Sequence, residues 1–205
     1  ILFCIMSTIV IHVKSQLINV SNDLLLPTDH TGGFLGTGVS FADFNGDDID
    51  DLTFGHHAGQ LRFYVGYVDE TGSGFQEVIL NISNDQSEAK MVLWADIDND
   101  GDQDFLVTNR NASNKIWRND GNLQFTNITE SSGISTQEET KSYGASFGDF
   151  NNDGFIDLYI CNYHTLVDLS TNELYQNNGD GTFTDMAADW GVDIAVYAMS
   201  STFGD

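Results

Sequence analysis

The chain has one proline and two cysteines in 205 residues. So little proline excludes a Pro-rich linker or polyproline stalk. Cys4 and Cys161 alone cannot build a disulfide-knit scaffold. Basic residues are just as scarce: seven Lys and Arg stand against 31 Asp and Glu, a net charge of −24. That balance argues against binding nucleic acid or an anionic membrane surface through charge. Long apolar runs are also missing. Residues 1–13 are almost wholly apolar and are followed by Lys14-Ser15-Gln16. This run is too short to span a bilayer and has the length of a signal-peptide apolar region. Residues 1–15 therefore read as the end of a secretory signal. The expected protein is secreted or at the cell surface, with no membrane insertion. Loss of Cys4 with the signal would leave Cys161 alone, most simply as a buried small apolar residue.

What the chain has in abundance is Gly, Asn and Asp, and part of it recurs. Asp43-Phe-Asn-Gly-Asp-Asp-Ile-Asp-Asp51, Asp96-Ile-Asp-Asn-Asp-Gly-Asp-Gln-Asp104 and Asp149-Phe-Asn-Asn-Asp-Gly-Phe-Ile-Asp157 share one pattern. Asp43, Asp96 and Asp149 are spaced by 53 residues, and Asp205 follows Ser-Thr-Phe-Gly as the first residue of a fourth copy. A fixed period of this length marks a repeat architecture.

Each copy offers oxygen donors at its first, third, fifth and ninth positions. They are Asp43, Asn45, Asp47 and Asp51; Asp96, Asp98, Asp100 and Asp104; Asp149, Asn151, Asp153 and Asp157. A backbone carbonyl is expected from the seventh position, which is Ile49, Asp102 or Phe155. Ca²⁺ takes six to eight hard oxygens, and alternate short side chains converge on it if the backbone curls tightly. Gly101 and Gly154 at the sixth position permit that curl. Asp48 stands there in the first copy and enters the left-handed region at modest cost. An EF-hand needs Glu at the twelfth position, where this chain has Phe54, Val107 and Ile160. Each loop runs instead into a strand-like apolar run, so the ion is expected in a strand–loop–strand hairpin. Three calcium sites and a truncated fourth at Asp205 are expected. Mg²⁺ fits less well, because it requires stricter octahedral geometry.

Short apolar runs separated by Gly, Asn and Asp turns predict many short strands. Four fit into each period: one into the loop, one out of it, a third near Leu61, Asn114 or Asn172, and a fourth beginning at Phe75, Phe125 or Phe183. The fold class is all-β, a β-propeller of four-stranded antiparallel blades. The expected spans are about 36–82, 88–130 and 142–188, with the start of a fourth blade at about 196–205. Residues 17–25 are expected to form an outer strand that closes the ring. Three blades and a stub imply a longer protein. The first strands are rich in Gly, Ala and Ser, as innermost strands near an axis require.

Residues 41–47 (Phe-Ala-Asp-Phe-Asn-Gly-Asp), 147–154 (Phe-Gly-Asp-Phe-Asn-Asn-Asp-Gly) and 172–185 (Asn-Glu-Leu-Tyr-Gln-Asn-Asn-Gly-Asp-Gly-Thr-Phe-Thr-Asp) resemble the FG-GAP/VCBS repeat family. The resemblance runs from about residue 17 to the end. It implies calcium-binding blades like those of integrin α-subunit propellers. The last stretch is most similar to secreted bacterial proteins and the cartilage acidic proteins, which often end in an ASPIC/UnbV domain. Departures are Asp48 in place of glycine and a longer turn at Val68–Gly74.

Little else points to chemistry. His56-His57 lacks a carboxylate at defined spacing, and His30 and His164 are isolated. Trp94, Trp117 and Trp190 could stack on sugars, but core or inter-blade packing fits them better. No nucleophile elbow, phosphate-cradling loop or zinc spacing is present, and no catalytic residue is expected. Asn19, Asn81, Asn111 and Asn127 head Asn-X-Ser/Thr sequons. The leading expectation is a secreted module binding an extracellular protein or glycan, with structural calcium. The alternative is an accessory or scaffold domain of an extracellular polysaccharide-acting lyase or hydrolase, which would need a cluster of Arg, Lys, His or Tyr.

Overall fold

A computed structural model of the protein describes residues 37–56, 60–70, 72–84, 87–137, 141–163 and 170–204. The expected signal segment, the expected closing strand at 17–25, His30, His57, His164 and Asp205 lie outside the described residues.

Twelve strands fall into three antiparallel sheets of four. The first contains β1 (Val39–Ala42), β2 (Asp51–Phe54), β3 (Arg62–Asp69) and β4 (Gly72–Val78). The second contains β5 (Glu88–Ala95), β6 (Asp104–Arg110), β7 (Lys115–Asn119) and β8 (Phe125–Asn127). The third contains β9 (Ser142–Gly148), β10 (Asp157–Asn162), β11 (Glu173–Asn177) and β12 (Phe183–Asp185). Strands lie in chain order within every sheet, so each is a simple meander. This is the blade of a β-propeller, repeated three times.

Side-chain alternation along β6 explains why the blades stack. Phe105 and Val107 join Phe44, Phe63 and Trp117 in an aromatic core between the first and second sheets. Leu106 points the other way, into a core with Ile116, Leu158, Ile160 and Tyr175 between the second and third. A strand buried on both faces needs a neighbouring sheet on each side. Complete burial of such side chains contributes roughly 1.5–3 kcal/mol each, so these two cores are the main cohesion between blades. Trp94 stacks on Phe44 at 5.1 Å and Trp117 on Phe105 at 6.2 Å, so both act in packing. Trp190 is exposed but meets Phe150 edge-on at 5.0 Å. Cys161 is buried.

The innermost strands β1, β5 and β9 are neighbours. Their small residues answer a steric demand. A Cβ on Gly144 would lie 2.5 Å from the Met199 carbonyl oxygen of the following segment.

Three details differ from the sequence reading. The turn expected to be long at Val68–Gly74 is a tight connection, because β3 and β4 extend until Asp69 pairs with Gly72. The outer strands β8 and β12 are shorter than expected. Each is followed by one helical turn, α1 (Thr129–Ser132) and α2 (Ala187–Trp190). Ile128 is buried in the inter-blade core and Thr129 Oγ1 accepts the Ile116 amide at 3.1 Å, so the chain folds back over the blade edge. Finally, residues 198–204 form no strand, although Ser201 Oγ lies 2.8 Å from Ser146 Oγ.

Candidate metal centre

The three acidic loops connect the first and second strands of successive blades, at the same end of each sheet. Their backbone is shaped by the same bonds. The first-position carboxylate turns back to accept amides from the far side of the loop. Asp43 accepts from Gly46, Asp47 and Asp48 at 2.7–3.0 Å. Asp96 accepts from Asp100 at 3.1 Å and Gly101 at 3.0 Å. Asp149 accepts from Asp153 at 3.2 Å and Gly154 at 2.9 Å. The fifth-position Asp47, Asp100 and Asp153 each take the amide of the seventh residue, Ile49, Asp102 or Phe155, at 2.9 Å. Short Asx side chains close such turns on themselves.

The curl places two residues per loop in the left-handed region. At the fourth position these are Gly46 (φ 76°), Asn99 (φ 60°) and Asn152 (φ 58°). At the sixth they are Asp48 (φ 66°), Gly101 (φ 97°) and Gly154 (φ 90°). Asp48 therefore adopts the glycine conformation, with the penalty of a Cβ there.

The ninth-position aspartates are the foundation of the loops. Asp51, Asp104 and Asp157 are fully buried. In each, Oδ2 accepts the amide of the second loop residue: Phe44 at 3.0 Å, Ile97 at 2.9 Å and Phe150 at 3.0 Å. The other oxygen accepts an amide from the third strand: Gly66 at 2.8 Å, Asn119 at 2.7 Å and Asn177 at 2.8 Å. One carboxylate thus pins both ends of the loop to the blade. Burial raises the pKa of Asp51 to about 6 and of Asp104 to about 7, against the lowering effect of these amides, and it moves Asp157 in the same direction. Neighbouring loop carboxylates add to each shift.

The second loop is the most anionic at its centre. Ligand atoms of Asp96, Asp98 and Asp104 lie within 4.8 Å of one another. Asp98 Oδ1 is buried without a hydrogen-bond partner. Burial, then the charge of Asp100, raises the Asp98 pKa. Three carboxylates converging with an orphaned oxygen form a donor set that suits a hard divalent cation. The first and third loops replace that third-position carboxylate with Asn45 and Asn151. Their amide nitrogens donate to Asp47 at 3.0 Å and Asp153 at 2.7 Å. Their remaining donors are carboxamide and carboxylate oxygens, also hard. The residues present therefore fit Ca²⁺: it would be held by the first-, third-, fifth- and ninth-position side chains and the seventh carbonyl. Asp205, the expected start of a fourth loop, lies outside the described residues.

The family-level pattern of the FG-GAP-like repeat matches residues 43–107 and 96–160. The chain belongs to the FG-GAP-like repeat family. Each matched segment begins at the first aspartate of one acidic loop and ends in the second strand after the next loop. Among curated proteins, this FG-GAP chain is 26% identical over 153 residues to Cartilage acidic protein 1 of Homo sapiens, covering 70% of this chain and 23% of that protein. The Mus musculus protein of the same name matches with the same identity and length, covering 24% of it. The chain thus spans about a quarter of the length of these relatives.

Sequence reasoning missed Asn119 and Asn177. In the sequence both fall among the Asn, Asp and Gly residues that separate the short apolar runs. In the structure they are buried and reach into the loop of the preceding blade. Their equal place in two repeats was the available signal. It also missed the grouping of Glu88, Lys90, Arg110 and Tyr143 at the opposite end of β5, β6 and β9. Glu88 Oε1 is bonded to Lys90 Nζ, and Oε2 to Arg110 at 3.0 Å. Lys90 Nζ lies 5.5 Å from the Tyr143 ring centroid.

Proposed function

We propose that this chain is a calcium-braced segment of a secreted or cell-surface propeller that acts as a non-catalytic binding or adhesion module for an extracellular protein or glycan. The carrying observation is the donor set of the second loop, with three carboxylates converging and one buried oxygen lacking a partner. Two further loops repeat its bonding. Without a cation, the carboxylates repel one another at short range; with one, the same charges become ligands. Calcium here is structural. It fixes the hairpin tips, and the faces of the propeller remain available to a partner.

The test is thermal unfolding of the purified protein in chelator and in millimolar Ca²⁺. At ten times its dissociation constant each ion stabilises by about 1.4 kcal/mol. Several occupied loops should therefore raise Tm by several degrees, and Mg²⁺ should do less. A Tm indifferent to chelator and to added Ca²⁺ removes the metal assignment.

The polysaccharide-enzyme alternative has one observation in its favour, the group of Lys90, Arg110 and Tyr143 around Glu88. Both Glu88 oxygens are taken up by the two cations, which suits a buried ion network better than an acid–base pair. Release of unsaturated products from a uronate-containing polysaccharide would reverse this preference.

A further inference from the structure

Asn119 and Asn177 end the third strands of the second and third blades, and every polar atom of their side chains is engaged. Asn119 Nδ2 donates to the Phe44 carbonyl at 3.2 Å and to the Gln103 carbonyl at 3.3 Å. Its Oδ1 accepts the Gly121 amide at 3.1 Å. Asn177 repeats this, donating to Ile97 at 2.7 Å and Ile156 at 3.1 Å and accepting from Gly179 at 2.9 Å. Phe44 and Ile97 are the second residues of the loops in the preceding blades. Gln103 and Ile156 are the eighth residues of the loops in the same blade. Each carboxamide therefore bridges two consecutive acidic loops.

The backbone amides complete the connection. Asn119 N–H donates to Asp104, which also holds Ile97 N–H. The Ile97 carbonyl in turn accepts from Asn177, whose N–H donates to Asp157. Phe44, Asn119, Asp104, Ile97, Asn177, Asp157 and Phe150 thus form one unbroken hydrogen-bond chain beneath three loops. Phe44, Asn119, Asp104, Ile97, Asn177 and Asp157 are buried and Phe150 is half-buried, and in such surroundings the bonds of a chain polarise and strengthen one another. Among the described residues, a second bridge joins the second and third loops: Asn99 Nδ2 donates to the Gly154 carbonyl at 3.1 Å. Gly46 occupies the place of Asn99 in the first loop and has no side chain to offer.

We propose that Asn119 and Asn177 are positioning residues that couple the metal affinity of each loop to that of its neighbour. This rests on the calcium reading above. An ion that orders one loop fixes the second-position peptide. That peptide orients the carboxamide, which sets the eighth-position peptide beside the ninth-position carboxylate of the next loop. Coupling runs in both directions, as linkage requires. It is stronger between the second and third loops, which share two bridges, than between the first and second, which share one.

The test is calcium titration calorimetry on the full chain. Silencing the second loop with Asp96→Ala should weaken calcium at the first loop by about fivefold, the worth of one lost hydrogen bond. It should weaken the third loop more. In an Asn119→Ala background the effect of Asp96→Ala on the first loop should vanish, while its effect on the third persists. Asn177→Ala should reduce the effect on the third loop and spare that on the first. A residue serving only stability would lower Tm in chelator without changing this cross-effect. The near-isosteric, uncharged Asn119→Leu, which loses the Nδ2 donor without burying a charge, serves where Asn119→Ala does not fold. Calcium binding with no cross-effect, or a cross-effect unchanged in the Asn119 variants, overturns the coupling alone. No calcium binding at any loop overturns both the coupling and the function proposed above.

Discussion

The first and second acidic loops have the same fold but different content. The second presents three convergent carboxylates and an orphaned Asp98 oxygen, and it uses glycine at its sixth position. The first has Asn45 in place of Asp98, and Asp48 in place of Gly101, at φ 66°. The second loop is also tied into its blade differently. Asn119 joins its base to the preceding loop, whereas the equivalent residue in the first blade is Gly66. A Cβ at Gly66 would lie 2.5 Å from the Asp50 carbonyl oxygen, so no side chain fits there. Repetition has therefore preserved the backbone scaffold while charge, strain and connection vary from blade to blade. Asp stays constant at the first, fifth and ninth positions, and the ninth is the constant that pins the loop to the blade.

The strongest way to break this comparison is to remove that constant. Asp104→Ala should cost about 3–4 kcal/mol, since two buried amides lose a charged acceptor at once. Asp51→Ala should cost about 1 kcal/mol less, because its third-strand partner is Gly66, which carries no carboxamide to bridge two loops. Denaturant unfolding of the two variants measures both, and equal losses would erase the distinction between the loops.

Glu173 sharpens the point from another direction. It is a partly buried carboxylate whose Oε2 has no hydrogen-bond partner, in contrast to Asp104 with its two amides. Burial, and then Asp185, raises its pKa to about 7. The folded state holds this proton more tightly than the unfolded chain. Its contribution is therefore complete below about pH 4.5 and is lost as pH rises through about 7. Glu173→Gln should leave stability unchanged near pH 4 and raise it by about 1–3 kcal/mol at pH 8. Unfolding curves at the two pH values show this, and a pH-independent difference would mean the carboxyl is not strained by burial.

The smallest effect concerns Asp48. Asp48→Gly relieves a side chain in the left-handed region and should stabilise the protein by about 0.5–1 kcal/mol. The gain should appear in chelator as well as in calcium, because it is a backbone effect. A loss of stability would show that the Asp48 side chain has a role of its own.

Much of the architecture was legible from the chain alone. Period, strand number and loop position all follow from short-range patterns: alternation sets strands, Gly and Asx set turns, and oxygen spacing sets the loop. The failures share a cause. The fourth strands beginning at Phe125 and Phe183 were expected to run longer and the helical turns that follow them were not foreseen, because nothing local marks where strands this short stop. Only the neighbouring blade decides that the chain folds inward there. The extended β3–β4 hairpin was read as a long turn because Gly72, Ser73 and Gly74 carry little β propensity, and the pairing with Val68 and Asp69 overrides it.

The spacing of donor residues, the excess of negative charge and the 53-residue repeat were fixed by the chain itself, since each is read from residue order and composition without any tertiary contact. Whether the ninth aspartate holds the backbone, which carbonyl a turn asparagine reaches, and how one loop touches the next were decided only when the blades stacked. Those contacts join residues 75 and 80 positions apart, as from Phe44 to Asn119 and from Ile97 to Asn177. No local preference encodes such distances; burial between neighbouring sheets creates them.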